Sequence, residues 1–287
     1  LAPTVAVTSS LQTLKAGTAA VITFRLSEAS RDFTLSDVVV TGGTLSNFAG
    51  TGAVYTATFA PTPGLVGTGT VAIEAGAFTD AAGNPGAAGA LAVPLRIDMV
   101  VPTLSIAADR TTLRTGETTR LTFTLSEAPV SFTAGMVTVA GGVLSGFTGS
   151  GTSYTATFTP TAGFAGSGNV MVNAGRFSDA AGNGNLAGSL VSALGIDAKP
   201  PTVAITTSRG GLKAGETAAL TFTLSEPAAD FAVDDVVVSG GTLSDFVGSG
   251  TLYTAVFTPT VGSMGWGTVT VDRKSTRLNS SHANISY

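Results

Sequence analysis

Pro3-Thr-Val-Ala-Val7 returns as Pro102-Thr-Leu-Ser-Ile106 and again as Pro201-Thr-Val-Ala-Ile205, each time 99 residues further on. The register between the copies holds without a gap. Phe24, Phe123 and Phe222 correspond, as do Glu28, Glu127 and Glu226, and Tyr55, Tyr154 and Tyr253. Solenoid units run to about 20–50 residues. A unit of 99 residues is instead the size of one independent sandwich domain. The spacing therefore divides the chain into repeats at 1–99, 100–198 and 199–271, followed by a tail at 272–287.

Inside each copy the hydrophobic period is two. Ile22, Phe24 and Leu26 alternate with Thr23 and Arg25, and Tyr55-Thr-Ala-Thr-Phe59 alternates in the same way. Such alternation sends one set of side chains inward and the other to water. In the first copy it predicts strands near 4–9, 19–26, 36–41, 44–48, 53–60, 67–75 and 91–97. Turn residues separate them, among them Lys15-Ala-Gly17, Gly42-Gly43, Gly50-Thr-Gly52 and Pro61-Thr-Pro-Gly64. Seven short strands at this spacing imply an all-β fold of two-sheet Greek-key sandwiches in tandem.

Charged residues make up 11% of the 287, against about 25% in an average soluble domain. A hydrophobic fraction of 44% still supplies cores, so low charge here does not mean disorder. There is no cysteine, which excludes a disulfide framework and a thiolate zinc site. The net charge of −4 disfavours nucleic acid and anionic lipid as partners. No apolar run is long enough to span a membrane. Leu1 opens directly into a strand pattern with no initiator Met or signal peptide, so a longer parent protein is expected.

The motifs Leu14-Lys-Ala-Gly17, Phe24-Arg-Leu-Ser-Glu28, Gly43-Thr-Leu-Ser-Asn-Phe48, Tyr55-Thr-Ala-Thr-Phe59 and Phe78-Thr-Asp-Ala-Ala-Gly-Asn84 resemble the bacterial immunoglobulin-like repeats of giant adhesins and biofilm-associated surface proteins. The resemblance covers residues 3–271. It implies immunoglobulin-like sandwiches acting as extender modules that hold an adhesive tip away from the cell. It also implies an extracellular, cell-surface location, often by type I secretion in RTX-adhesin-like proteins, and calcium at domain junctions. The partners expected are the neighbouring repeats of the same chain, with no nucleic acid and no membrane insertion. A second reading is a ligand-binding module whose pole loops grip a glycan or a surface protein. A spacer repeats its surface, whereas a binder shows a divergent copy with exposed aromatics. Equal lengths without insertions favour the spacer. Trp266 stands where the earlier copies have Thr68 and Ser167, and partial exposure is expected for it.

After Val271 the repeat pattern stops. Asp272 to His282 reads, codon for codon, as the conceptual translation of a sequencing adapter, so residues 272–287 are expected to be non-native. Without this tail three basic residues (Arg273, Lys274, Arg277) and one acid (Asp272) go, and the net charge moves from −4 to −6. The third repeat is then truncated. It is expected to lack its last strand and to leave an open edge and core.

The only histidine, His282, lies in that tail. Ser-His-Asp and Cys-His nucleophiles and His-ligated zinc are therefore unavailable in the repeats. A carboxylate pair for glycoside hydrolysis remains formally open. The prominent acids recur at the repeat period, however, and an active site tripled along an array is not expected, so the chain reads as a non-enzyme. Gly50-Thr-Gly52 and its copies lack the third glycine of a dinucleotide fingerprint and read as turns between strands.

One constellation carries chemistry. Tracing the strands pole by pole places the Ser-Glu that ends strand two, the loop before the last strand and the incoming linker at a single pole. For the second repeat this gathers Asp98, Glu127, Asp179 and Asn183. The next junction offers Asp197 and Glu226. The first repeat offers Glu28, Asp80 and Asn84. An all-oxygen set suits Ca²⁺, which takes about six to eight oxygen ligands. The competing reading is plain turn chemistry, in which Asp and Asn side chains bond nearby backbone amides.

Overall fold

The computed structural model describes residues 1–228, 230–262, 264–271 and 282–286. The chain divides into two compact units. One comprises Leu1–Thr111, Thr119–Phe158 and Gly168–Ala193, and the other Thr112–Thr118, Thr159–Ser167 and Leu194–Tyr287.

The first repeat lies wholly in the first unit. Its strands are β1 (Val5–Ser9), β2 (Thr13–Lys15), β3 (Ala20–Ser30), β4 (Val38–Thr41), β5 (Gly43–Pro61), β6 (Val66–Ile73), β7 (Gly89–Ala90) and β8 (Leu95–Asp98). One sheet runs β1-β3-β5. The other runs β2-β8-β6-β4, with β7 added on β6. All these pairings are antiparallel except β2 with β8, which is parallel. The chain crosses from one sheet to the other between Ser9 and Thr13, and this crossing makes the two sheets a sandwich.

The core follows from the alternation. Ile22, Phe24 and Leu26 from β3, and Tyr55 and Phe59 from β5, face Val71, Ile73, Leu95 and Ile97 from the other sheet, all buried. Each such side chain contributes about 1.5–3 kcal/mol on burial. Phe33 sits at the centre of an aromatic group, with ring centroids 5.0 Å from Tyr55 and 5.5 Å from both Phe24 and Phe78, all edge-to-face. The Tyr55 hydroxyl donates to the Ser30 carbonyl at 3.1 Å, the partner expected of a buried tyrosine.

Three details differ from the pattern expected. β2 was not anticipated: it is three residues long with one inward side chain, Leu14, too short to show alternation. The run 44–60 is one extended segment that doubles back at Gly50-Thr-Gly52, both glycines at positive φ (144° and 68°). A Cβ on Gly50 would collide with the Val54 carbonyl and approach the Tyr55 Cα to 2.6 Å, so glycine is required there. The last strand expected at 91–97 is two short pieces, β7 and β8.

In the first unit the second repeat repeats the larger plan. Gly142–Ser150, Ser153–Pro160, Thr119–Leu125 and Leu104–Ala108 form a four-stranded sheet. Thr138–Ala140 and Gly188–Ser189 both pair with residues of Ala165–Val172. In the second unit Thr112–Arg114 pairs in parallel with Leu194–Asp197.

The third repeat, in the second unit, corrects the expectation of a missing strand. His282–Ser286 forms a strand antiparallel to Trp266–Val271. Ile285 is completely buried in the third core. It pairs with Gly267 as Leu95 pairs with Gly69 in the first repeat. One inward aliphatic side chain with the right neighbours suffices to close the core, whatever the origin of the tail. Residues 272–281 and Tyr287 lie outside the described residues.

Candidate metal centre

The pole geometry starts from a serine. Ser27, Ser126 and Ser225 each accept, on Oγ, the backbone N–H of the threonine after the entry proline (Thr4, Thr103 and Thr202), at 2.9 Å in all three cases. In the first repeat this bond ties β3 to the incoming chain. It places the next residue, Glu28, Glu127 or Glu226, where the linker arrives.

At the junction between the first and second repeats, inside one compact unit, three carboxylates converge. One oxygen from each of Asp98, Glu127 and Asp179 lies within 4.8 Å of the other two. Among the described residues no other group of three acids or histidines meets in this way. Asp98 closes β8, and its Oδ1 accepts the Val100 N–H at 3.1 Å. Asp179 is buried at the start of a tight loop. Its Oδ1 accepts the Asn183 N–H at 2.8 Å and its Oδ2 the Asn183 Nδ2 at 2.7 Å.

Asn183, named in the same set by the sequence, joins the two repeats through further bonds. Its Nδ2 also donates to the Asp98 carbonyl at 3.0 Å, and its Oδ1 accepts the Ala16 N–H of the first repeat at 2.7 Å. Beside it the Lys15 ammonium donates to the Gly182 carbonyl at 2.8 Å. Asn183 thus latches one repeat to the next and braces two of the three acids. In the sequence Lys15-Ala-Gly17 reads only as a turn, because its partners, a backbone carbonyl and a side-chain amide oxygen, lie 167 residues away. The return of the same tripeptide at Lys213-Ala-Gly215 was the available signal.

A family model described as "Bacterial Ig-like domain" matches residues 1–96, 98–194 and 197–284. The chain belongs to the bacterial Ig-like domain family. Its three tandem copies agree with the sandwiches described above. The chain is also similar to several solved structures. One is the Escherichia coli adhesin FdeC, at 15% identity over 99% of this chain and 96% of that one, with a TM-score of 0.38. Another is a titin fragment, I67–I69, at 13% identity over 100% and 98%, with a TM-score of 0.42. A third is invasin, a bacterial integrin-binding protein, at 14% identity over 100% and 60%, with a TM-score of 0.32. At such identities and scores no residue role is carried over from them. No curated protein matches the sequence.

The other acids of these bacterial Ig-like repeats are placed differently. In the first repeat Asp80 makes the two loop bonds of Asp179 and one more: its Oδ1 accepts the Ala82 and Asn84 N–H groups and its Oδ2 the Asn84 Nδ2. Here the turn chemistry is complete by itself, and Glu28 is exposed. In the second unit Asp197 and Glu226 line one cleft together with Arg114. The place of the third acid is taken in the sequence by Leu278, within residues 272–281, which lie outside those described.

Glu127 distinguishes the three-carboxylate group from a set of turn caps. Its Oε1 is buried and has no hydrogen-bond partner. Burial pushes its carboxyl above the ordinary 4.5, and the charges of Asp179 and Asp98 push it further the same way. A buried acceptor without a donor normally costs about 1–3 kcal/mol. Asp179, though more buried, is satisfied by Asn183.

Proposed function

We propose that these bacterial Ig-like repeats are extender segments of a cell-surface adhesin, and that Ca²⁺ bound by Asp98, Glu127 and Asp179 stiffens the first junction. The observation that carries the cation reading is the orphaned Glu127 Oε1 inside a ring of carboxylates. The donor set fits. Two oxygens each about 2.4 Å from one Ca²⁺ ion stand at most about 4.8 Å apart, and these oxygens lie within 4.8 Å of one another. The set offers oxygen only, which suits a hard cation and not zinc. Backbone carbonyls and water complete the shell, and Asn183 holds Asp98 and Asp179 in place. Because Asp98 ends the first repeat while Glu127 and Asp179 belong to the second, a bound ion ties the two together.

The extender role rests on repetition. Three copies of one domain, joined by short proline-containing linkers at 98–102 and 197–201, build length without varying the surface. Each linker is pinned close to its exit. The Met99 N–H donates to the Leu65 carbonyl at 2.9 Å, and the Ala198 N–H to the Phe164 carbonyl at 2.8 Å. No helix among the described residues is long and apolar enough to cross a membrane. A surface location follows from the family's role and belongs to this proposal.

Calorimetry and small-angle scattering of the chain in millimolar calcium and in chelator test the cation reading. A ligand at a hundredfold excess over Kd adds about 2.7 kcal/mol to the state it binds. A rise in the melting temperature of the calcium-binding portion, with a longer particle, is the expected result. Identical profiles in both buffers sink it. One observation favours a ligand-binding module instead: Trp266 is 67% exposed in the third repeat only. It is the single tryptophan, so its fluorescence reports binding directly. Saturable quenching by members of a glycan panel would move the reading to that alternative.

A further inference from the structure

The chain contains one Asn-Gly pair, Asn183-Gly184, and it lies in the loop that latches the first junction. Asparagine is a thermolabile residue, and most so before glycine. The backbone nitrogen of the next residue attacks the side-chain carbonyl carbon, and glycine has no Cβ to obstruct the approach.

The first repeat carries the same loop with a different successor, Asn84-Pro85. Proline has no N–H, so its nitrogen cannot make this attack. The loops otherwise match. Gly83 and Gly182 have φ of 84° and 86°. The Asn Nδ2 to Asp Oδ2 bond is 2.8 Å in one loop and 2.7 Å in the other. The isolated bridge between Ser178 and Gly184 corresponds to that between Thr79 and Pro85. Proline is therefore compatible with the backbone at this place, and the two loops differ in whether the attacking nitrogen exists.

Among the described residues the Gly184 N–H has no hydrogen-bond partner, so the nucleophile is available. The carbon it would attack is held away from it. Asn183 is buried, and both polar atoms of its carboxamide are engaged. Oδ1 accepts the Ala16 N–H at 2.7 Å, and Nδ2 donates to the Asp98 carbonyl at 3.0 Å and to Asp179 Oδ2 at 2.7 Å. Ring closure requires the carboxamide to turn out of these bonds and bring Cγ onto the Gly184 nitrogen. Two of the three partners, Ala16 and Asp98, belong to the first repeat. Most of the restraint on Asn183 therefore exists only while the first two repeats are in contact.

We propose that Asn183 is a self-modifying site of the junction: it deamidates when the first two repeats part, and the product keeps them from latching again. The Gly184 nitrogen bonds to Asn183 Cγ, the Cγ–Nδ2 bond breaks, and Nδ2 leaves as ammonia, carrying the proton that the Gly184 nitrogen gives up through water. A five-membered succinimide results. Water then opens the ring at either carbonyl. Breaking the Cγ–N bond gives aspartate, and breaking the bond between the Asn183 backbone carbonyl and the nitrogen gives isoaspartate, whose main chain runs through Cβ and Cγ. Nothing is oxidised or reduced, and water is the only co-reactant. Neither product has the amide donor that held the Asp98 carbonyl and Asp179. Aspartate sets a second carboxylate against Asp179, and isoaspartate lengthens the backbone of the loop. The reaction needs no cation and stands or falls separately from the calcium reading.

Ala16→Pro tests the restraint with the turn kept. Ala16 is the second residue of a turn closed by the Thr18 N–H on the Lys15 carbonyl at 3.0 Å, and the third residue, Gly17, has φ of 78°. This is a type II turn, whose second position favours proline, so the substitution removes the N–H that Asn183 Oδ1 accepts and little else. The full chain is incubated in chelator at mildly alkaline pH, and Asn183 is followed by peptide mapping with isoaspartate detection. Conversion in the folded chain should be several-fold slower than in urea, and Ala16→Pro should raise the folded rate several-fold. A folded rate equal to that in urea, or one that Ala16→Pro leaves unchanged, overturns the proposal. Gly184→Pro copies the loop of the first repeat and should abolish isoaspartate at Asn183; its persistence there overturns the chemistry. The consequence for the latch is read by amide exchange of Asn183→Asp in chelator. The Ala16 amide should exchange several-fold faster than in the unsubstituted chain, and exchange as slow as before overturns the loss of the latch. Unchanged exchange at Phe24, in the core of the first repeat, separates local release from unfolding in every variant.

Discussion

Glu127 is where electrostatics and packing pull against each other. Its buried oxygen lacks a donor, and two acids face it. Glu127→Gln removes the charge while keeping the shape. Without calcium this variant should melt at or above the temperature of the unsubstituted chain, and calcium should no longer stabilise it; calorimetry of both chains in both buffers reads the crossover. The pH dependence has a definite sign. A carboxyl whose folded pKa is raised binds more protons folded than unfolded. In chelator its contribution to stability therefore falls as pH rises from the ordinary 4.5 through the raised folded value. A bound cation favours the charged form and reverses the trend, so the calcium-induced rise in melting temperature should grow across the same window. Asp32 has the opposite sign. Bonds from the Thr79 hydroxyl and N–H and from Ser30 hold it down at about 2, so its contribution is complete above the ordinary 3.8 and is lost only as pH falls toward 2. Asn183→Ala removes the brace on both acids and leaves the Ala16 N–H without its partner. A loss of about 1–3 kcal/mol is expected by calorimetry in chelator.

At the scale of elements, the closing strand of the third repeat hangs on one side chain. Ile285→Ala should cost about 2–5 kcal/mol. The loss should be confined to the third repeat, which Trp266 fluorescence follows, while the transitions of the other repeats keep their temperatures. That strand was hidden because His282–Ser286 brings a single inward aliphatic residue in a stretch of foreign-looking composition. The long strands were legible for the converse reason. Ile22, Phe24 and Leu26 alternate over enough positions to fix which face is buried, and all three are buried. The convergence of Asp98, Glu127 and Asp179 was legible too, because strand count and connectivity assign each loop to a pole. Two things were not. Glu28 and Glu127 hold the same register position but differ in exposure, because exposure depends on what docks over the pole, and pattern does not record that. The task of Asn183 was hidden because amide oxygens and backbone donors leave no trace in spacing.

For the whole molecule, independent cores imply separable behaviour. A chain ending at Val271 should lose the cooperative unfolding of the third repeat and keep the transitions of the first two, as read by calorimetry. The parallel pairing of β2 with β8 has a further consequence when the chain is stretched. Tension enters a repeat on the N-terminal side of β2 and leaves on the C-terminal side of β8. Because the two strands run in the same direction, the pull slides them past each other lengthwise, and their rungs carry the load together instead of opening one by one. The first repeat has three such register pairs, Thr13 with Arg96 through Lys15 with Asp98, and the second has three as well. Among the described residues the third shows one bridge at this place, Gly211 with Ser286. Under a steady pull the first and second repeats should therefore each resist as a block, all three rungs giving way together.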